Sequence, residues 1–224
     1  MTVRAAVVVF PGTNCERDCA RVLEDLGATV ELLWHTERDL HGADVVLLPG
    51  GFAHGDYLRT GAIARFSPVM EAVSAHAREG GLVVGICNGF QVLCEAGLLP
   101  GALRKNRGLR FICRWVGVRV CNAATPFTTR AAAGQTLRLP INHFEGGYYC
   151  DEQTLRSLAG NGQIVLRYDD NPNGSLADIA GITSRNGNVL GLMPHPERAC
   201  ESLIGSEDGL VLLSSMVDNA LRAA

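Results

Sequence analysis

Two short segments of this 224-residue chain hold most of the residues that could do chemistry. In the first, an apolar run from Leu82 to Ile86 leads into Cys87 and then into a helical pattern of Phe90, Val92 and Leu93, with Gly85 and Gly89 two residues either side of the cysteine. This is the layout of a nucleophile elbow, with cysteine in the place of serine. A nucleophile on so sharp a strand-to-helix turn has strained φ/ψ, and side chains two residues away would collide with neighbouring backbone. A helix starting at residue 88 aims its N-terminal N–H groups and positive dipole end at the sulfur, which favours thiolate over thiol. The plain alternative is a buried structural cysteine in a tight turn; the paired glycines weigh against it. Cys94, inside the helix, reads as structural.

A cysteine nucleophile needs a base, and the base needs an orienting partner. Six histidines compete: His35, His41, His54, His76, His143 and His195. His35 and His41 flank a polar loop and read as surface, and His76 as part of a solvated helix face. His195 lies in the second segment, Met193-Pro-His-Pro-Glu197, just past an apolar run at 189–193. Pro194 and Pro196 fix φ and favour extended backbone, which holds the histidine rigidly. In extended backbone residues i and i+2 project to one side, so Glu197 can reach a ring nitrogen of His195, set its tautomer and stabilise its charged form. A rigid turn with an exposed ring is the bland reading of such a motif. Attack on an amide carbonyl also needs two N–H donors for the oxyanion. The backbone of Asn88, immediately after the nucleophile, supplies one. The glycine pair Gly50-Gly51, where backbone can approach a substrate closely, is the candidate for the other at Gly51.

These residues need elements to hold them. Apolar runs at 3–10, 28–34, 44–48, 82–86 and 188–193 read as strands, the first suited to burial on both faces. Cys19, Val22, Leu23 and Leu26 mark a helix that Thr13 or Asn14 can cap and Gly27 ends. Ile63, Phe66, Met70 and Val73 mark a second helix, ending near Gly80-Gly81, and residues 209–221 a closing one. Strand alternating with helix predicts an α/β fold: a mostly parallel, doubly wound central sheet. From 111 to 149 alternating segments such as 116–120 and 137–140 predict an additional antiparallel strand region, at one edge or as a flap. With no linker composition, one domain over 1–224 is expected.

Composition narrows the function. Twenty basic against 23 acidic residues give a net charge of −3, and no Lys/Arg run repairs the deficit, which speaks against nucleic acid as a partner. No apolar stretch approaches the roughly 18 residues of a membrane span, and Pro11-Gly12 cuts off the only run resembling a signal peptide. Eight scattered cysteines without ligand spacing predict no metal site and a reducing, cytoplasmic setting. The low charged fraction of 19% is compatible with a face covered by a partner.

The elbow and the Pro-His-Pro-Glu segment resemble those of the triad-type (class I) glutamine amidotransferases. The stretches Phe10-Pro-Gly-Thr-Asn-Cys15, Gly55-Asp-Tyr-Leu-Arg59, Gly97-Leu-Leu-Pro-Gly101 and Asn171-Pro-Asn-Gly-Ser175 narrow the resemblance to the glutaminase subunits of purine biosynthesis. The resemblance implies Cys87 as nucleophile, His195 as base and Glu197 as orienting carboxylate, with a γ-glutamyl thioester and release of ammonia. It implies glutamine contacts at Gly50, Gly51, Gln91 and a segment containing His143 and Phe144, although similar proteins carry glycine where this chain has Phe144. No G-x-x-x-x-G-K-[ST] loop is present, so no cofactor is expected in this chain. The acceptor, with ATP and magnesium, is implied on a large synthetase subunit that converts formylglycinamide ribonucleotide to the amidine, often with a small bridging subunit. The loop Tyr57–Arg59 is a candidate contact for that partner. The glutaminase of another amidotransferase, a redox-sensing or hydrolytic cysteine protein, or a non-catalytic binding module on the same fold remain as alternative readings, and nothing in the residues assigns Cys15 and Cys19 more than packing.

Overall fold

A computed structural model describes residues 2–223. In chain order the elements are β1 (Arg4–Val9), α1 (Glu16–Asp25), β2 (Thr29–Trp34), β3 (Val45–Leu48), α2 (Val69–Arg78), β4 (Leu82–Ile86), α3 (Asn88–Glu95), β5 (Ala102–Arg104), β6 (Ile112–Val120), β7 (Thr136–His143), β8 (Gly147–Tyr149), α4 (Glu152–Gly160), β9 (Ile164–Tyr168), β10 (Ile179–Thr183), β11 (Val189–Leu192) and α5 (Gly209–Ala223). Nine strands form one sheet in the order β2-β1-β3-β4-β11-β10-β9-β6-β7. The pairs from β2 to β11 are parallel, and those from β11 through β10, β9 and β6 to β7 are antiparallel. The antiparallel half is therefore a continuation of the central sheet, with β5 and β8 as a small separate pair. The fully buried run of β3 and the nearly continuous apolar β1 and β4 show why these strands sit at the centre, covered on both faces. No helix among the described residues is long and apolar enough to cross a membrane.

Two local expectations are corrected. Thr13 and Asn14 do not cap α1. The Thr13 hydroxyl accepts the Phe10 N–H at 3.0 Å and the Asn14 carboxamide oxygen faces the Cys15 thiol, so the cap position falls to Cys15, which makes no side-chain cap. The second helix is also shorter than its apolar spacing implies: Ala64–Phe66 is a separate 3-10 turn, and the helix begins only after Pro68, leaving the Phe66 ring exposed. Proline at its start has no N–H to lose there but prevents continuation from the turn before it. The helix α4, capped by the Asp151 carboxylate on the Thr154 N–H at 2.7 Å, follows the stretch read as antiparallel strands and is not among the elements expected from the sequence.

The sheet positions the chemistry through one pairing. Strands β4 and β11 run parallel with Gly85 opposite Gly191 and Ile86 opposite Leu192, and the Cys87 N–H donates to the Leu192 carbonyl at 2.8 Å. The residues that follow both strands thus leave the same carboxyl edge side by side, where open α/β sheets bind ligands. Close packing of α3 on this edge requires glycine: a Cβ at Gly89 would overlap the Leu48 carbonyl, and one at Gly85 would fall 2.6 Å from the Gly89 backbone. Gly89→Ala is expected to cost about 2–4 kcal/mol in urea unfolding. Gly97→Ala is the comparison, with open space around its Cβ but φ at +72°; it should cost only about 1 kcal/mol.

Candidate active site

Cys87 sits between β4 and α3 with φ 51° and ψ −104°, the strained elbow that its flanking glycines imply. It is buried, and its thiol lies 3.8 Å from the Asn142 carbonyl. His195 follows β11 and is fixed from the other side of the sheet, its N–H donating to the Pro140 carbonyl of β7 at 2.9 Å. Its ring Nδ1 is 2.6 Å from Glu197 Oε1, and both side chains are almost completely buried. Nε2, the other ring nitrogen, is buried with no hydrogen-bond partner. Burial alone would lower the pKa of His195. The Glu197 carboxylate and the Cys87 sulfur reverse this, so the ring is held well above its ordinary value. The three residues expected to act as nucleophile, base and orienting carboxylate are thus brought together, Cys87 lying over a hundred residues before the His195–Glu197 pair.

Gly50 marks how close they come. A Cβ there would lie 2.7 Å from His195 Cε1 and 3.5 Å from Cys87 Cβ, so only glycine leaves room for both. Its carbonyl accepts the N–H groups of Asn14 and Cys15, each at 3.2 Å. Gly50, expected against a substrate, therefore stands behind the triad, whereas Gly51 lines the cavity. Gly51 bridges Thr13 in antiparallel fashion, with the flanking bonds made by Asn14 N–H to Gly50 and Phe52 N–H to Gly12. In that pattern the N–H of Gly51 points away from its bridge partner. It and the first N–H of α3, on Asn88, are the two donors available for an oxyanion.

A cavity of about 220 Å³ opens in front of Cys87. Gln91, His143 and Phe144 line it as expected, joined by Asn142, Phe52, Thr60, Asp56 and Glu145. Gln91 accepts from the Asn88 amide at 2.9 Å and donates to the Glu145 carbonyl at 2.5 Å. His143 bonds Asn106 at 3.1 Å, and burial, followed by the charge of His195, pushes its pKa down to about 4, so this ring stays neutral.

Asp56 and Glu145 escaped the sequence reading. Asp56 has φ 54° in a loop where His54, Gly55 and Leu58 also have positive φ, a conformation without periodicity to read. Its carboxylate accepts from the Asn88 amide at 3.2 Å, while Glu145 accepts from the Thr60 hydroxyl at 3.3 Å. Burial raises the pKa of Asp56, the Asn88 bond partly offsets that, and Glu145 raises it further, to about 6. Two carboxylates at one wall of a small cavity form a receptor for a cation. In the same loop Arg59 is committed to Glu95 by two bonds of 2.6 Å, so Tyr57 and Leu58, 74% and 89% exposed, are what the loop presents outward.

Cys15 has surroundings that its sequence spacing did not reveal. Its sulfur is 4.0 Å from His195 Nδ1 and 3.1 Å from the Arg198 guanidinium, which also bonds Asp18. Cys15, His195 and Glu197 place potential ligand atoms within 4.8 Å of one another. With Glu197 Oε1 already bonded to the ring and a guanidinium on the sulfur, these ligand atoms are engaged with one another and with Arg198, while Glu197 Oε2 is left without a partner. Cys19 is packing: burial holds its thiol far above the usual range. Two histidines read as solvated are partly buried. His76 packs over Gly81, and His35 bonds Ser67 at 3.1 Å and meets His54 edge-on at 5.1 Å between ring centroids. His41 is exposed and paired with Glu31.

The family described as a CobB/CobQ-like glutamine amidotransferase domain matches residues 2–208. The phosphoribosylformylglycinamidine synthase subunit PurQ of Rubrobacter xylanophilus is 58% identical, covering 97% of this chain and 99% of its own length. That of Thermus thermophilus is 56% identical, covering 98% and 100%. The chain belongs to the PurQ family of glutamine amidotransferases. The Thermotoga maritima PurLQS structure superimposes with a TM-score of 0.90 at 44% identity, over 97% of this chain and 99% of that one. A second glutamine amidotransferase structure from Thermotoga maritima, at TM-score 0.61 and 16% identity over 100% of this chain and 98% of its own, shares the fold.

For this PurQ-family site the carboxylate behind the histidine is the decisive group. Glu197→Gln removes the largest of the charges that raise the His195 pKa, and burial then favours the neutral ring. Transfer of the Cys87 proton to that ring becomes less favourable. Alkylation of Cys87 by iodoacetamide at pH 7, followed by peptide mass spectrometry, is expected to slow about tenfold or more, with the loss growing smaller towards alkaline pH.

Proposed function

We propose that this chain is the glutaminase subunit of a phosphoribosylformylglycinamidine synthase, working in the cytoplasm. It cleaves L-glutamine to glutamate and ammonia and hands the ammonia to a large synthetase subunit, with a small bridging subunit completing the complex. The observation that carries the reading is the buried Cys87, His195 and Glu197 constellation, with its 2.6 Å imidazole–carboxylate bond, in a chain matching PurQ subunits along nearly its whole length.

The chemistry follows from the groups present. Nε2 of His195 takes the proton of Cys87, whose sulfur attacks the side-chain amide of glutamine. The developing oxyanion is held by the N–H groups of Gly51 and Asn88. The resulting imidazolium, stabilised by Glu197, protonates the leaving nitrogen as the tetrahedral intermediate collapses to a γ-glutamyl thioester and ammonia. Water, deprotonated by the neutral His195, then attacks the thioester and releases glutamate. Gln91 and the backbone of 142–145 line the path of the substrate's carbon chain. Asp56 and Glu145 receive its α-ammonium, the one full positive charge that glutamine carries. ATP and magnesium act on the synthetase partner, where the acceptor amide is activated.

In a mixture with the synthetase subunits, Cys87→Ala is expected to abolish glutamine-driven amidine formation while leaving ammonia-driven formation intact. Equal loss of both would refute the assignment. For the α-ammonium receptor, Asp56→Asn is expected to raise KM for glutamine about 10–100-fold with kcat changed much less, the range for losing a hydrogen-bonded charge partner. The sign of the pH effect follows from the raised pKa of Asp56. Only the ionised carboxylate attracts the ammonium, so kcat/KM falls as pH drops through about 6, and Asp56→Asn should flatten that limb.

A further inference from the structure

The expectation that no Lys/Arg run offsets the acidic balance is corrected locally: four of the 20 basic residues, Arg104, Lys105, Arg107 and Arg110, fall within seven consecutive positions. All four are exposed, and among the described residues none has a carboxylate within salt-bridge distance, whereas Arg114 nearby is paired with Asp170. The backbone beneath them is firmly fastened. Asn106 is fully buried; its amide donates to the carbonyls of Arg110 and His143 at 2.9 Å each, and its oxygen accepts from the Gly146 N–H and meets His143 Nδ1, both at 3.1 Å. The Asn106 N–H donates to the Phe144 carbonyl at 2.9 Å. The cations are therefore fixed to the wall of the glutaminase cavity, which His143, Phe144 and Glu145 line.

Apolar surface lies among them. Leu109 is 68% exposed at φ 49°, Phe111 is exposed, and the Arg104 guanidinium stacks 3.8 Å above the partly exposed Tyr149 ring. Arginine mixed with exposed aromatic and aliphatic side chains is the composition of a protein–protein contact. Arg104, Lys105 and Arg107 line one open groove with Gly147, Asn173 and Gly174, and Arg110, Leu109 and Phe111 carry the cationic and apolar surface beyond it, a patch wider than a single phosphate covers. Uncompensated charge of one sign beside a cavity also steers an oppositely charged macromolecule towards it.

We propose that the 104–111 loop is a docking surface for an acidic face of the synthetase partner, seating that subunit over the rim of the glutaminase cavity. This rests on the functional reading above: ammonia released at Cys87 must pass to the partner without escaping to water, so the partner has to cover this rim. Four unpaired cations on the rim are complementary to carboxylates on the face that covers it.

The test compares the native chain with Arg104→Glu/Arg107→Glu/Arg110→Glu and with Arg78→Glu, which reverses a charge at the other end of the sheet. Affinity for the synthetase subunits is measured at 50 and 200 mM salt, together with glutamine-driven amidine formation, and folding is checked by thermal unfolding. The triple variant is expected to bind at least tenfold more weakly and with a flatter salt dependence. Its synthesis rate should recover when the subunit is supplied in excess; Arg78→Glu should behave as native. Affinity of the triple variant within twofold of native would overturn the proposal while leaving the functional reading intact. So would an unchanged affinity accompanied by lost binding to single-stranded RNA, which would make the loop a nucleic-acid surface. Failure of the native chain itself to support synthesis would instead overturn the functional reading, and this inference with it.

Discussion

Parallel pairing of β4 with β11 is the constraint from which the active site follows. The ladder bond from the Cys87 N–H to the Leu192 carbonyl carries the register one residue beyond β4. It thereby sets the elbow beside the extended Pro194–Glu197 segment. Neither segment adjusts easily. Cys87 is held at positive φ between two glycines that cannot accept a Cβ, and His195 is flanked by residues with fixed φ. The antiparallel half of the sheet completes the enclosure, because β7 returns to the same edge and presents the carbonyls of Pro140 and Asn142 to His195 and Cys87. A parallel sheet alone would leave that side of the sulfur to solvent.

Burying a charged pair is expensive. A His195–Glu197 pair with almost no solvent contact gives up hydration on both partners, and one oxygen of Glu197 has no hydrogen-bond partner at all. Such a pair is poor evidence of stability and better evidence of chemistry: the same low dielectric that makes it costly makes each charge effective on the next. The unpartnered Nε2 belongs to this logic, because a base needs one nitrogen held and the other free. Cys15 and Arg198 extend the network on the side of Nδ1, away from the free nitrogen.

What could be read from the sequence depended on how locally each feature is determined. The elbow was legible because strand, glycine, cysteine, glycine and helix follow one another in a dozen residues. His195 and Glu197 were legible because two prolines dictate the backbone between them. The parallel core could be read from buried β-branched runs. The way β6, β7, β9 and β10 join that core could not, since alternation shows a half-covered strand without naming its neighbours. Pro68 gave a local signal for the break before α2, yet the apolar spacing of Ile63, Phe66, Met70 and Val73 concealed it, with Phe66 left in solvent. Cys15 gained its environment from long-range contact alone: its neighbours His195 and Arg198 come from the far end of the chain.

Asn88 shows how residues invisible to pattern reading become part of the site. Its backbone follows the nucleophile, while its side chain accepts the Ala53 N–H at 3.0 Å and donates to Asp56 and Gln91. One carboxamide therefore joins the elbow, the left-handed loop after Gly51 and the first turn of α3. Positive φ at His54, Asp56 and Leu58 costs conformational energy, and such a loop keeps its shape only where surrounding bonds over-determine it. The bond to Asn88 at one end and the paired bonds from Arg59 to Glu95 at the other, both on α3, supply that restraint. The loop carries Asp56 into the cavity and Tyr57 and Leu58 out of it, while the helix it is tied to starts with the free N–H of Asn88 beside Cys87. A partner touching the outer residues would therefore press on the same bonded unit that carries Asp56 and the first N–H of α3.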